Sequence, residues 1–295
     1  MKILISGATG LIGRPLSERL AIDHEILRLT RHPRGDGDVG WDPASGVVNP
    51  TRLDGVDAVV HLAGESIASG RWTESKKRRI RDSRVRGTEL LVDALLRLKA
   101  PPRVFVGASA IGFYGNRGDE PLDESSPPGH GFLPEVCQAW EAAARPLESK
   151  ETRITHLRFG VVLSADGGAL PQMARPFRFG VGGRLGDGRQ RMSWIHLDDA
   201  VGALAYLLST DLRGPVNGTA PTAPTNAEFT ATLAKVLHRP AMFPLPRPAA
   251  RLALGEMAEA LLFASARVVP KRLLDAGFKF RWPTLEDALR EALRR

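Results

Sequence analysis

The chain has 295 residues, 43% hydrophobic and 25% charged, proportions that exclude a fibrous or wholly disordered protein. Cys137 is its one cysteine, which excludes a disulfide scaffold, and no apolar run reaches the roughly 18 residues that a membrane span requires. The formal net charge is +8, from 41 basic and 33 acidic residues. The arginines are spread over the whole chain without an accompanying nucleic-acid motif. Nucleic acid is therefore not the expected partner, and a phosphate-bearing small ligand suits the charge better. The first residues run straight into the strand-like Lys2-Ile3-Leu4-Ile5 without the pattern of a signal peptide, so a cytoplasmic protein with no membrane association is expected.

Taken in order, Lys2–Ser6 is a predicted strand and Leu11–Ala21 a helix with Leu11, Ile12, Leu16 and Leu20 on one side. Strands follow at Glu25–Thr30, Val56–Leu62, Arg103–Ala108 and Arg153–Phe159. A long helix from Thr73 to Leu98 lies between the third and fourth strands. Thr73 serves as its N-cap, with Lys76 to Arg86 on its solvent side. Another helix covers about Leu133–Leu147. The strands are continuous apolar runs such as Ala58-Val59-Val60, which suit a parallel sheet covered on both faces. Strand–helix alternation of this kind predicts an α/β fold, a doubly wound parallel sheet. After Val161 the glycines from Gly167 to Gly188 mark a long ligand-covering segment, and Asp198–Leu208 is a returning helix. The expected division is a nucleotide-binding domain over 1–215 and a small helix-rich C-terminal domain over 216–295, a cap on the substrate side. In the latter, Leu252, Ala253, Met257, Ala260, Leu261 and Ala264 fall near one helical face, expected to pack on the first domain and wall its cleft.

The strongest motif is Ser6-Gly7-Ala8-Thr9-Gly10-Leu11-Ile12-Gly13, between the first strand and the first helix. Gly7 permits a tight turn, Gly10 lets backbone approach a pyrophosphate, and Gly13 lets the helix pack closely. Free N–H groups at the helix start then meet the phosphates. At the end of the second strand an NAD site needs an acid for the ribose 2′-hydroxyl, yet no acid occurs from Ile26 to Pro33. Thr30 and Arg31 stand there instead and suit a 2′-phosphate, so NADP(H) is the expected cofactor.

With these motifs, the chain resembles the extended short-chain dehydrogenase/reductases, in particular an atypical epimerase-family branch with a C-terminal domain of unknown function. The resemblance also rests on Asp57–Glu65, Arg71-Trp72-Thr73, Arg81–Arg84, Ser109–Gly115, Glu135–Ala144, Ser193–Asp199, Pro270–Leu274 and Ala276–Phe278. It implies a Rossmann domain with Leu62, Ala63 and Gly64 lining the adenosine and ribose, Arg84 facing the cofactor and Val161 near the nicotinamide. Arg84 otherwise reads as part of a solvated basic helix face.

The superfamily's catalytic Tyr and Lys are missing. Aligned on Glu141, their places fall at Leu133 and Cys137, and the usual Ser or Thr place falls at Ala110, one residue after Ser109. Met192-Ser193-Trp194-Ile195 replaces the Arg-Asp-Phe-Ile common in nucleotide-sugar enzymes, which weakens such a substrate. The remaining catalytic candidates are Ser109 and Tyr114. Tyr114 either approaches the nicotinamide or packs beside Phe113. Cys137 is a tuned thiol or, more ordinarily, a small buried hydrophobe. The acids Asp119, Glu120, Asp123 and Glu124 read as a solvated loop, and His196 as a structural hydrogen-bond partner. No His spacing suits a metal. Two functions remain open: an oxidoreductase or epimerase-like protein of unidentified small-molecule substrate, or a non-catalytic NADP(H)-binding sensor or assembly protein. The resemblance suggests the latter because some members are linked with bacterial or plastid division.

Overall fold

The computed structural model describes residues 1–42, 45–47 and 49–294. Along the chain, β1 (Lys2–Ser6) turns into α1 (Gly13–Leu20), followed by β2 (Glu25–Thr30), β3 (Asp38–Asp42) and β4 (Gly46–Val47). Next come β5 (Ala58–His61), the long α2 (Glu74–Leu96), β6 (Val104–Ala110), β7 (Pro121–Leu122), α3 (Phe132–Ala142), β8 (Arg153–Phe159) and β9 (Val161–Leu163). The remainder contains α4 (Ala169–Arg178), β10 (Trp194–His196), α5 (Leu197–Ser209), β11 (Gly214–Gly218), α6 (Asn226–Leu237), α7 (Arg247–Leu254) and α8 (Glu256–Ala258). It closes with β12 (Arg267–Val268), α9 (Lys271–Asp275) and α10 (Leu285–Arg294).

The main sheet runs β11-β8-β6-β5-β1-β2-β3-β4 and is parallel except for the β3–β4 pair. Alternate residues of its inner strands feed two cores. Ile3, Ile5, Val60, Val106 and Leu157 meet Leu16 of α1 and Leu204 and Leu207 of α5 on one face. Leu4, Val59, Phe105 and Ile154 meet Leu91 and Leu95 of α2 on the other. Burial on both faces explains the uninterrupted apolar runs. The carboxyl ends of β1, β5, β6, β8 and β11 consequently share one edge, where ligands of open α/β sheets bind.

Thr73 caps α2 as expected, its hydroxyl accepting the Lys76 N–H at 3.2 Å. The helix expected over Leu133–Leu147 stops at Ala142, and a separate tight turn covers Arg145–Lys150. β3 and β4 had no apolar run to announce them. The tail is helix-rich as expected, and β11, which spans residue 215, forms the edge of the main sheet. Its sequence, Gly-Pro-Val-Asn-Gly, carries no strand signal, and Pro215 is tolerated there because an edge strand can spare an N–H.

The tail packs on the sheet domain at several points. Asp199 of α5 accepts the N–H groups of Arg281 and Trp282, Tyr206 donates to the Ala276 carbonyl, and Leu273 enters the α1–α5 core. The apolar face expected from Leu252 to Ala264 is not continuous. Gly255, at φ +64°, breaks the helix, so Leu252 is 81% exposed while Met257 is buried with Trp72 and Ile80.

Candidate functional site

At the β1 end of the shared edge, the glycine loop is held by close backbone contacts. Gly7 has φ +68°, and a Cβ on it would stand 3.1 Å from Leu62 C and Ala63 N. A Cβ on Gly13 would lie 2.1 Å from the Gly7 oxygen, so the close packing at Gly13 is against the loop's own backbone. Gly10 differs: with Thr9 it is exposed, and its added Cβ would meet only the Gly7 oxygen, at 3.2 Å. Leu11 and Ile12 are half-buried, and Leu11 lies against Gly167 and Gly168, so the glycine-rich segment after β9 touches this loop. Ser6 Oγ ties β1 to β5 by accepting the N–H groups of Leu62 (3.0 Å) and Ala63 (3.1 Å). These exposed backbone positions at a helix start can hold a pyrophosphate.

At the end of β2, Thr30 is half-buried and accepts the His32 N–H, while Arg31 is exposed. Asp38 is not free to act as a ribose acceptor, because its carboxylate takes Arg28 Nε and the Arg34 N–H, both at 2.7 Å.

Arg84 is brought to the same edge. Its Nη1 donates to the Glu65 and Ile80 carbonyls at 3.0 and 3.2 Å, and its guanidinium lies beside Gly64 and over the Trp140 ring. Burial pushes its pKa below the ordinary arginine value. The expected solvent face of α2 needs correction at Lys76, which is 4% exposed and donates to Glu65 Oε1 (2.8 Å) and Ser69 Oγ (2.7 Å). Lys77 pairs with Glu256 of α8. Charge spacing alone could not reveal these, since the acids come from other elements.

Toward β6, β8 and β11 the edge is filled by a buried polar network. Ser109 Oγ donates to Glu141 Oε1 at 2.7 Å, and Arg158 grips the same carboxylate with Nε at 2.7 Å and Nη2 at 2.8 Å. Arg158 Nη1 donates to Tyr114 Oη at 3.0 Å, and Tyr114 Oη donates to Asn217 Oδ1 at 2.7 Å. Glu124 Oε1 accepts the N–H groups of Asn217 and Arg272. Tyr114 has no exposed surface, and burial pushes its phenol pKa up. Of the two expectations for Tyr114, the packing beside Phe113 is present, edge-on with ring centroids 5.3 Å apart. Ser109 is likewise engaged and 3% exposed. Glu124 is buried, contrary to the solvated-loop expectation, whereas Asp119 and Glu120 pair with Arg191 and Arg117 and Asp123 closes a turn on Ser125.

Leu133 and Cys137 stand together against Gly112. The Cys137 thiol points at the Ala110 carbonyl, and burial, with the Glu141 charge adding to it, pushes it up to about 12. It is a protonated small hydrophobe. Val161 opens β9, half-buried, its N–H donating to the Ser193 carbonyl. His196 accepts the Asp198 N–H and caps α5, a structural role. Among the described residues, no group of three or more His, Cys, Asp or Glu is placed to hold a metal. No helix of the described residues is long and apolar enough to cross a membrane. Glu141, Arg158 and Asn217 were missed as network members. The available signal was a charged residue inside the buried run Ile154-Thr155-His156-Leu157-Arg158-Phe159.

A doubly wound parallel sheet with a glycine turn after β1 defines the class, and the chain belongs to the NAD dependent epimerase/dehydratase family, whose model matches residues 3–219. A second model, a domain of unknown function (DUF1731), matches residues 245–292. The chain is 43% identical over 290 residues to the epimerase family protein Mb2239 of Mycobacterium bovis, covering 97% of this chain and 96% of that one. It is 38% identical over 298 residues to the epimerase family protein SDR39U1 of Homo sapiens, covering 99% of each. A crystal structure of human SDR39U1 (isoform2) with NADPH superposes with a TM-score of 0.92 at 36% identity, covering all of both chains.

Proposed function

We propose that this chain is an NADP(H)-binding oxidoreductase or epimerase-type protein acting on a small molecule. The observation that carries the reading is the open Gly10 turn between β1 and α1, with exposed Arg31 and no acid from Ile26 to Pro33. The structural likeness to a human relative described with NADPH supports it. Gly7, Thr9, Gly10, Leu11, Ile12 and Gly13 would hold the pyrophosphate; Thr30 and Arg31 the 2′-phosphate; Leu62, Ala63, Gly64 and Arg84 the ribose and adenosine; and Val161 the nicotinamide side. When bound, such a cofactor supplies hydride exchange at the nicotinamide C4. The residues after 215 would cap the substrate side. A single buried thiol is in keeping with a cytoplasmic protein.

The chain's own proton supply is poor. Leu133 donates nothing, Cys137 holds its proton tightly, and the hydroxyls of Ser109 and Tyr114 are committed to Glu141 and Asn217. A positioned acid/base group contributes about 10²–10⁴-fold, so turnover is expected to be slow by that factor. The same engaged hydroxyls favour a second reading, a non-catalytic NADP(H)-binding sensor or assembly protein.

Calorimetry and single-turnover oxidation of NADPH against a carbonyl panel test both. Arg31→Ala is expected to weaken NADPH about 10- to 100-fold and NADH little, from the loss of charged hydrogen bonds. Equal weakening of both dinucleotides overturns the NADP(H) assignment. Turnover that falls in Ser109→Ala supports the enzyme; tight NADPH binding with no oxidation of any panel member supports the second reading.

A further inference from the structure

Two buried histidines stand behind the residues just assigned to the dinucleotide. Ser6 Oγ has two lone pairs and one hydrogen. The lone pairs take the Leu62 and Ala63 N–H groups, so the hydrogen is left for His61 Nδ1 at 2.7 Å. His61 is 1% exposed, and burial, aided by the nearby His156, pushes its pKa down to about 4. A neutral ring that accepts at Nδ1 carries its proton on Nε2. That Nε2 is buried and has no hydrogen-bond partner among the described residues.

His156 is the complement. The Glu141 backbone carbonyl lies beside its ring, and its orphaned nitrogen is Nδ1; a neutral ring with its proton on Nε2 presents a lone pair there. The residues form one row across the sheet: His61 on β5 pairs with Gly107 on β6, and Gly107 pairs with His156 on β8. Gly107 puts no side chain between the rings. A Cβ there would come within 2.9 Å of His156 Nδ1 and 3.1 Å of the Phe105 ring. A buried orphan donor and a buried orphan acceptor in one row are costly apart and are commonly satisfied by an internal water.

We propose that His61 and His156 are positioning residues for the dinucleotide, bridged over Gly107 by one internal water that accepts from His61 Nε2 and donates to His156 Nδ1. The bridge links the Leu62–Ala63 backbone through Ser6, His61 and water to His156, whose ring lies beside Glu141, the carboxylate partner of Ser109 and Arg158. It joins the ribose-facing loop to the opposite end of the cleft. The effect on affinity rests on the dinucleotide reading above; the tautomers and the water do not.

The test is long-range ¹H–¹⁵N NMR of the full chain with labelled histidine, alone and with NADPH. Both rings are expected neutral with the proton on Nε2, and the His61 Nε2 proton should be protected from exchange and show cross-relaxation with a long-lived water. His156→Gln keeps a donor at the Nε2 position but removes the Nδ1 acceptor. His61→Asn keeps an acceptor for Ser6 but removes the Nε2 donor. Each is expected to weaken NADPH about two- to tenfold by calorimetry, and His156→Gln to deprotect the His61 proton. A proton on Nδ1 of either ring, or no water at His61 Nε2, overturns the bridge. Unchanged NADPH affinity in both variants, with native near-ultraviolet spectra, overturns the positioning role. If the wild type does not bind NADPH, the dinucleotide reading fails and takes the positioning role with it, while the tautomers still decide the bridge.

Discussion

Around β1 and β5 the carboxyl edge of the sheet is made of backbone and small residues, with Gly10 and Thr9 facing outward. Around β6, β8 and β11 the same edge is filled by Ser109, Glu141, Arg158, Tyr114 and Asn217, each bonded to the next. The first region leaves the backbone of Thr9 and Gly10 exposed to a ligand; the second uses its polar groups on one another. On the proposed reading, a fold arranged in this way retains a phosphate cradle while its proton chemistry is curtailed, because the two depend on different strands.

The largest expected effect separates two glycines of the first region. Gly13→Ala forces a carbon to 2.1 Å from a backbone oxygen, and a loss of more than about 4 kcal/mol in urea unfolding is expected. Gly10→Val should remain folded and lose NADPH binding. A Gly10→Val protein that binds NADPH normally would show that this loop is not the phosphate site.

In the second region, Arg158→Met leaves the Glu141 carboxylate without its bidentate partner. The side chains of Arg158 and Glu141 are only 3% and 12% exposed, so about 3–5 kcal/mol of stability should be lost. Tyr114→Phe removes one hydroxyl from the same network and should cost about 1–3 kcal/mol with NADPH affinity unchanged. Lower single-turnover rates in Tyr114→Phe without loss of stability would return Tyr114 to the catalytic list and blur the contrast.

The smallest effect has a sign set by pH. Burial holds the Glu124 carboxyl above its ordinary value of 4.5. A folded-state pKa above the unfolded one contributes stability that is complete below the unfolded value and is lost as pH rises through the folded one. Relative to wild type, Glu124→Gln should therefore gain stability as pH is raised from about 4.5 toward neutrality, read from thermal unfolding at each pH. A difference that is flat with pH would mean that Glu124 is not held protonated by its surroundings.

The shape of the first region was largely legible in the sequence because it depends on what is absent. Gly7 and Gly13 stand where side chains cannot and Gly10 where the turn is open, and their spacing between a strand and a helix is local. β1 was legible to the residue for a similar reason, its continuous apolar run reporting burial on both faces, and β2 and β8 were read to the residue although Arg28, Thr155, His156 and Arg158 interrupt their apolar residues. The second region was poorly legible. Tyr114 next to Phe113 looked equally like an acid and like packing, because the decision depends on Arg158, 44 residues away, and Asn217, 103 away. Lys76 looked solvated until Glu65 and Ser69 were brought over it.

Glycine spacing, apolar period and the absence of an acid after β2 are properties of neighbouring residues, and they determined by themselves the α/β order, the turn at β1 and the choice of cofactor to test. The absence of the usual Tyr and Lys was equally plain, as Leu133 and Cys137. Whether Cys137 is a reactive thiol, whether Ser109 and Tyr114 are free, and which side of α2 meets water were decided only by the tertiary structure. Each depends on burial and on partners contributed by other elements. Desolvation and charge pairing act over a few ångströms of space, and no local reading of the chain measures that distance.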